Sequence, residues 1–186
     1  MSSPHRVLLD ACVLFPPLVR TILIELSSRS VFKPLWSDRI FEEWRIAVGR
    51  KHGISVEAEV VETQTNLQQK FPDAMVSGSG DLETVLELPD PADVHVLAAA
   101  IRGSAGTLVT FNLRDFPNRL VTPHGIEVSH PDRFFWRLLD DKPADVSSSV
   151  NVALERASVA RERRRTVLKR AKLPRFAKAL EALDED

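Results

Sequence analysis

Asp10, Glu43, Asp93, Asn112 and Asp115 are spread over about a hundred positions, yet each falls where an apolar run ends or a helix can present it. Asp10 closes the run Val7-Leu8-Leu9, and Asn112 closes the run from Thr107 to Phe111, with Asp115 in the turn that follows. Asp93 lies in the first turn of a helix opened by Asp90 and Pro91, and Glu43 lies in mid-helix beside Trp44. In an open parallel sheet the carboxyl ends of the strands share one edge, so these groups are free to converge there. Carboxylates brought together raise one another's pKa and need a counterion to stay ionised. Hard oxygen donors suit Mg²⁺ or Mn²⁺, and such an ion can orient a water, lower its pKa and neutralise charge on a phosphate. The chemistry expected of this set is phosphodiester hydrolysis.

The elements that must position these residues alternate between two periodicities. Val7-Leu8-Leu9, Val31 to Trp36, and Thr107 to Phe111 read as short strands, with Ile126 to Val128 as an edge strand. Between them run a helix from Pro16-Pro17 to about Ser28 and one capped by Ser37 that carries Ile40, Phe41, Trp44, Ala47 and Val48 on its apolar side. A polar helix from Ser55 to Phe71 and an alanine-rich one from Asp90 to Gly103 follow. Helical patterns resume over Pro131 to Leu139, Pro143 to about Arg170, and Pro174 to Leu183. The alternation predicts an α/β fold with a central, mostly parallel sheet and a helical C-terminal extension. Residues 1–140 are expected to form the main domain and 141–186 the extension.

Bulk properties narrow the class. The chain has 186 residues, 44% of them hydrophobic and 27% charged, enough for one well-buried domain. No apolar run approaches the roughly 20 residues that span a bilayer. The first ten residues show no secretory leader, and the single cysteine, Cys12, has no internal partner, so a cytoplasmic protein is expected. Net charge is −1, but residues 155–186 carry 10 basic against 6 acidic side chains. Within that tail Arg161, Arg163, Arg164, Arg165, Lys169, Arg170 and Lys172 form a basic run that could hold RNA phosphates or an anionic partner surface, with Arg161, Arg164, Arg165 and Lys169 the chosen candidates, against the alternative of a solvated helical face. No aromatics are interleaved with them, which argues against base stacking there.

Four segments, VLLDACVLFPP, WSDRIFEEW, LPDPADVHVLAAAI and LVTFNLRDFP, carry a resemblance to PIN-domain ribonucleases, close to the VapC-type toxins of bacterial toxin–antitoxin modules. The resemblance runs over roughly residues 5–135. It implies a three-layer α/β/α fold and a metal-dependent endoribonuclease acting on RNA, with a cognate antitoxin as partner and a homodimer as the common assembly. By similarity Asp10, Glu43 and Asp93 match the family's metal ligands, Asn112 its fourth position, and Asp115 lies just beyond. The same spacing selects Glu43 over its neighbour Glu42. Asn112 stands where many PIN domains have Asp; the lost charge weakens a second metal site, so one ion is expected. Cys12 stands where many relatives have Asn and is read as a small buried residue, because a thiolate matches Mg²⁺ poorly.

Plainer roles compete for several of these residues. Asp90 and Asp93 could both serve a helix dipole, Thr110 could be a buried strand residue, and Asp115 could accept hydrogen bonds in its own turn. His95 is two positions, about 200°, around an ideal helix from Asp93, which makes it a surface or packing residue. Two further functional classes remain in view. A haloacid-dehalogenase-like phosphohydrolase would use Asp10 as nucleophile, but Cys12 replaces the second acid of its motif. A non-catalytic PIN-like module would bind RNA or protein without cutting.

Overall fold

The computed structural model describes residues 5–185. Four strands, β1 (Arg6–Leu9), β2 (Lys33–Leu35), β3 (Thr107–Val109) and β4 (Glu127–Ser129), form one sheet in the order β2-β1-β3-β4, parallel throughout. In register, Leu8 faces Leu35 on one side and Leu108 on the other. Val7, Leu8, Leu9, Thr107, Leu108 and Val109 are all buried, so both faces of the central strands are covered and helices flank the sheet in three layers. The second strand is shorter than its apolar run predicts, because Trp36 leaves the ladder to bridge Met75.

Between the first two strands lie α1 (Ala11–Leu14) and α2 (Pro17–Ser28). Next come α3 (Asp38–His52), whose Ser37 cap accepts from the Ile40 amide, and α4 (Ile54–Lys70). A short α5 (Gly80–Glu83) leads to α6 (Val94–Arg102). The start of α6 differs from the expected helix. Pro91–Asp93 form a 3-10 turn, Asp90 caps it by accepting from the Ala92 amide, and the α-helix begins only at Val94. After the third strand come α7 (Asn118–Val121), α8 (Pro131–Asp141), α9 (Pro143–Arg156), α10 (Arg164–Arg170) and α11 (Pro174–Glu185).

The helical run expected from Pro143 to Arg170 is thus two helices with a break at 157–163. Ser158 has φ 52°, and the Val159 amide reaches back to Leu154 O. The same closure ends three more helices. Ser30, Ser104 and Lys172 have positive φ, and the next amides, of Val31, Ala105 and Leu173, bond Leu26 O, Ala100 O and Leu168 O. Glycine is the unstrained residue at such a stop, and any other residue there costs about 1 kcal/mol. The helices beyond residue 140 share the main hydrophobic core: α9 packs on α2 and α11 on α8, and Phe176, fully buried, meets Phe135 with ring centroids 5.3 Å apart.

Candidate active site

A cleft of about 1040 Å³ opens beyond the carboxyl ends of β1 and β3 and is lined by Asp10, Glu43, Asp93 and Asn112. Asp115 does not line it. A hollow of about 680 Å³ near the amino ends of the first two strands, around Arg6 and Lys33, holds none of the five predicted residues.

Asp10 follows directly from the first strand and is only 6% exposed. The Thr110 hydroxyl donates to its Oδ2 at 2.6 Å and the Cys12 thiol donates to the same oxygen at 3.0 Å. Burial, and then the charge of Asp10, push the Cys12 thiol well up, so it stays a protonated donor. Cys12, expected as a small buried residue, is only partly buried, and its thiol donates to Asp10. Thr110, fully buried, also accepts from the Asn112 amide at 2.9 Å. One hydroxyl therefore fixes the loops after both central strands, and Thr110, buried one residue beyond the third strand, is more than the buried strand residue it could have been.

Glu43 is presented by the third helix and Glu42 is not: Glu42 is exposed and paired with Arg45, while Glu43 Oε1 accepts from His95 Nε2 at 2.7 Å. His95, expected at the surface or in packing, is 2% exposed and so not at the surface, and its ring bonds Glu43. The helical-face reading missed its partner, which lies on a different helix. The distance fits the tautomer with the proton on Nε2, and the buried Nδ1 has no partner among the described residues.

Asp93 shows how strongly the carboxylates feel one another. Burial, followed by the charges of Asp10, Asp115, Asp90 and Glu43, raises its pKa to about 6. Asp115 is near enough to contribute that field from outside the cleft. The donor set fits a hard divalent cation: Asp10, Glu43, Asp93 and Asn112 line one cleft, and burial followed by like charge penalises the ionised Asp93 without a counterion. Among the described residues, no three His, Cys, Asp or Glu side chains are drawn together into a closed ligand cluster.

Four cations share the cleft with the acids: Arg20, Lys51, Arg170 and Lys172. Arg170 and Lys172 belong to the basic run that the sequence offered for RNA phosphates, whereas Arg20 and Lys51 were not singled out from the sequence. Arg20 spends its guanidinium on the carbonyls of Leu14 and Phe15, at 2.5 and 3.2 Å, and lies 4.8 Å from the Trp44 ring. Burial lowers its pKa to about 10, which leaves it charged. Lys51 sits 5.0 Å over Phe15, and Lys172 sits 5.5 Å over Phe111. The four tail residues chosen from sequence do not line the cleft. Arg165 pairs with Glu181 at 2.6 Å and Arg164 reaches Leu180 O, while Arg161 and Lys169 lie on the same stretch, in the 3-10 turn and in α10. The tail lacks interleaved aromatics, but the fold supplies Phe15 and Phe111 from elsewhere.

No helix among the described residues is long and apolar enough to cross a membrane. A family model described as "PIN domain" matches residues 6–114. A Mycobacterium tuberculosis protein named "Putative ribonuclease VapC50" is 48% identical over 48 residues, 26% of this chain and 28% of that protein. The match thus spans little more than a quarter of the curated relative's length. No solved structure matches the chain.

Proposed function

The chain belongs to the PIN-domain family, and on that footing we propose that it is a Mg²⁺- or Mn²⁺-dependent endoribonuclease, the toxin of a toxin–antitoxin pair. The observation that carries the reading is one cleft at the carboxyl ends of the central strands lined by Asp10, Glu43, Asp93 and Asn112. In this reading residues 1–140 are the nuclease unit, 141–186 its extension, and the cognate antitoxin a protein that covers the acidic cleft. Assembly as a homodimer and a cytoplasmic setting complete the proposal.

Asp10, Asp93, Glu43 and Asn112 would hold the cation, with Asp115 adding negative potential from behind. When bound, the ion neutralises charge building on the phosphate and acidifies the attacking water. Asp10 is fixed for this task because both its hydrogen bonds fall on Oδ2, leaving Oδ1 without a partner among the described residues. His95 fixes Glu43 in the same way. Water adds to phosphorus, the P–O3′ bond breaks, and the acidic cluster takes up the water's proton. The products are a 3′-hydroxyl, protonated on leaving, and a 5′-phosphate.

Purified protein, freed of any partner, should cleave RNA in Mg²⁺ or Mn²⁺ and not in EDTA, and Asp10→Asn and Asp93→Asn should each abolish cleavage. Equal activity in wild type and both variants would overturn the proposal. RNA binding without cleavage by the wild type would favour the non-catalytic module.

A further inference from the structure

One wall of the acidic cleft is built by a segment far along the chain from the acids. Arg170, the last residue of α10, and Ala171 and Lys172 in the turn that follows line it together with Asp10 and Asp93. The turn is rigid. Leu168 and Leu173 are fully buried on either side of it, and the Leu173 amide bonds Leu168 O at 3.0 Å. Asp132 caps the helix that follows by accepting from the amides of Arg175 and Phe176, at 3.2 and 2.8 Å.

Lys172 occupies the left-handed region, φ 62°, where glycine would fit without strain. Its ammonium lies over Phe111, the residue between Thr110 and Asn112. Among the described residues neither Arg170 nor Lys172 has a carboxylate within ion-pair distance. Two unpaired cations are therefore held at the rim of a site whose floor is negative. An acidic floor repels a polyanion unless cations beside it compensate.

We propose that the 170–172 segment is the substrate clamp of the cleft. Lys172 and Arg170 hold backbone phosphates of the RNA strand whose scissile phosphodiester lies over Asp10 and Asp93, with Lys51 on the facing wall. The proposal rests on the nuclease reading above and adds where along the chain the substrate is gripped. It also narrows the contact, within the tail's basic run, to Arg170 and Lys172.

The test uses the full chain, a randomised-sequence single-stranded oligoribonucleotide and Mg²⁺, with cleavage followed over a salt series. Lys172→Gly removes the charge and relieves the backbone, so it should melt above the wild type while its KM rises about tenfold with kcat little changed. The slope of log kcat/KM against log salt should become shallower by about 0.7, the share of one phosphate contact on a single strand. Arg170→Gln should act in the same direction. Lys178→Gln, which removes an equal charge from the exposed side of the same tail, should leave both readouts unchanged. Wild-type kinetics and salt slope in Lys172→Gly, or an equal loss in Lys178→Gln, would overturn the clamp and leave the nuclease standing. An RNA pool left intact by the wild type would overturn the nuclease reading, and the clamp with it.

Discussion

Taking the charge off Asp93 should make the metal-free protein more stable while ending its chemistry. Its carboxyl is raised to about 6, first by burial and then by Asp10, Asp115, Asp90 and Glu43, against about 3.9 in an unfolded chain. A folded-state pKa above the unfolded one means that folding disfavours the ionised form. Stability is therefore lost as pH rises from about 4 through about 6. Two pKa units amount to about 3 kcal/mol in a sealed site. Asp93 is only partly buried, and solvent screening brings this to about 1.5 kcal/mol. The turn leading into α6 returns about 0.5 kcal/mol to a negative charge through the helix dipole. Asp93→Asn should then gain about 1 kcal/mol at pH 8 in EDTA, a rise in Tm of about 2–4 °C for a chain of this size. About half of that gain should remain at pH 5, where the native carboxyl is mostly protonated and its unfolded counterpart is not. Scanning calorimetry in EDTA at the two pH values reads both numbers. A variant no more stable than wild type at pH 8, or a gain undiminished at pH 5, would refute the reasoning that the acids of the cleft are mutually strained.

Three other substitutions probe the supports of the site. His95→Phe leaves Glu43 without its donor and should lower cleavage about tenfold to a hundredfold, with partial recovery in His95→Gln; a circular dichroism spectrum matching the wild type shows that the fold is kept. Thr110→Val keeps the side chain's shape but takes a hydrogen bond from both Asp10 and the Asn112 amide, so its denaturation midpoint should correspond to a loss of about 1–2 kcal/mol, and an unchanged midpoint would contradict the bridging role. Asp132→Ala strips the cap from α11 at a cost of about 1 kcal/mol by urea unfolding, and because that helix leads away from the clamp, KM for RNA should rise with it.

The first strand's end was legible because a buried parallel strand writes itself as an uninterrupted apolar run, so Asp10 could be set on the sheet's rim from Val7-Leu8-Leu9 alone. The strand expected over Thr107 to Phe111 stops at Val109, where the Thr110 hydroxyl turns to Asp10 and the Asn112 amide, and Asn112 reaches the rim from the loop. Glu43 was harder. Nothing in the alternation of α3 separates it from Glu42, and only the resemblance's spacing made the choice. The helix stop after Arg156 was hidden because Ser158 fills a position that usually announces itself as glycine. His95 was judged by its angle from Asp93 on one ideal helix. Asp93 sits in a 3-10 turn, where that angle does not apply, and the partner of His95 comes from another helix. The basic wall was the least legible part. A count of charges finds the tail's arginines, but which of them faces the cleft is decided by where Leu173 and Phe176 are buried, and that is settled by packing with α8, not by any local pattern.

The hydrogen bond from Thr110 to Asp10 spans a hundred residues, and Lys172 closes the wall from sixty residues further on. During synthesis the polypeptide leaves the ribosome from its amino end, so the floor of the cleft forms only after the third strand has emerged and the grip on substrate later still. In the proposed nuclease reading, a new molecule has no finished cutting site until those segments have emerged. A delay of that kind needs no inhibitor, because it is set by the order in which the chain is made.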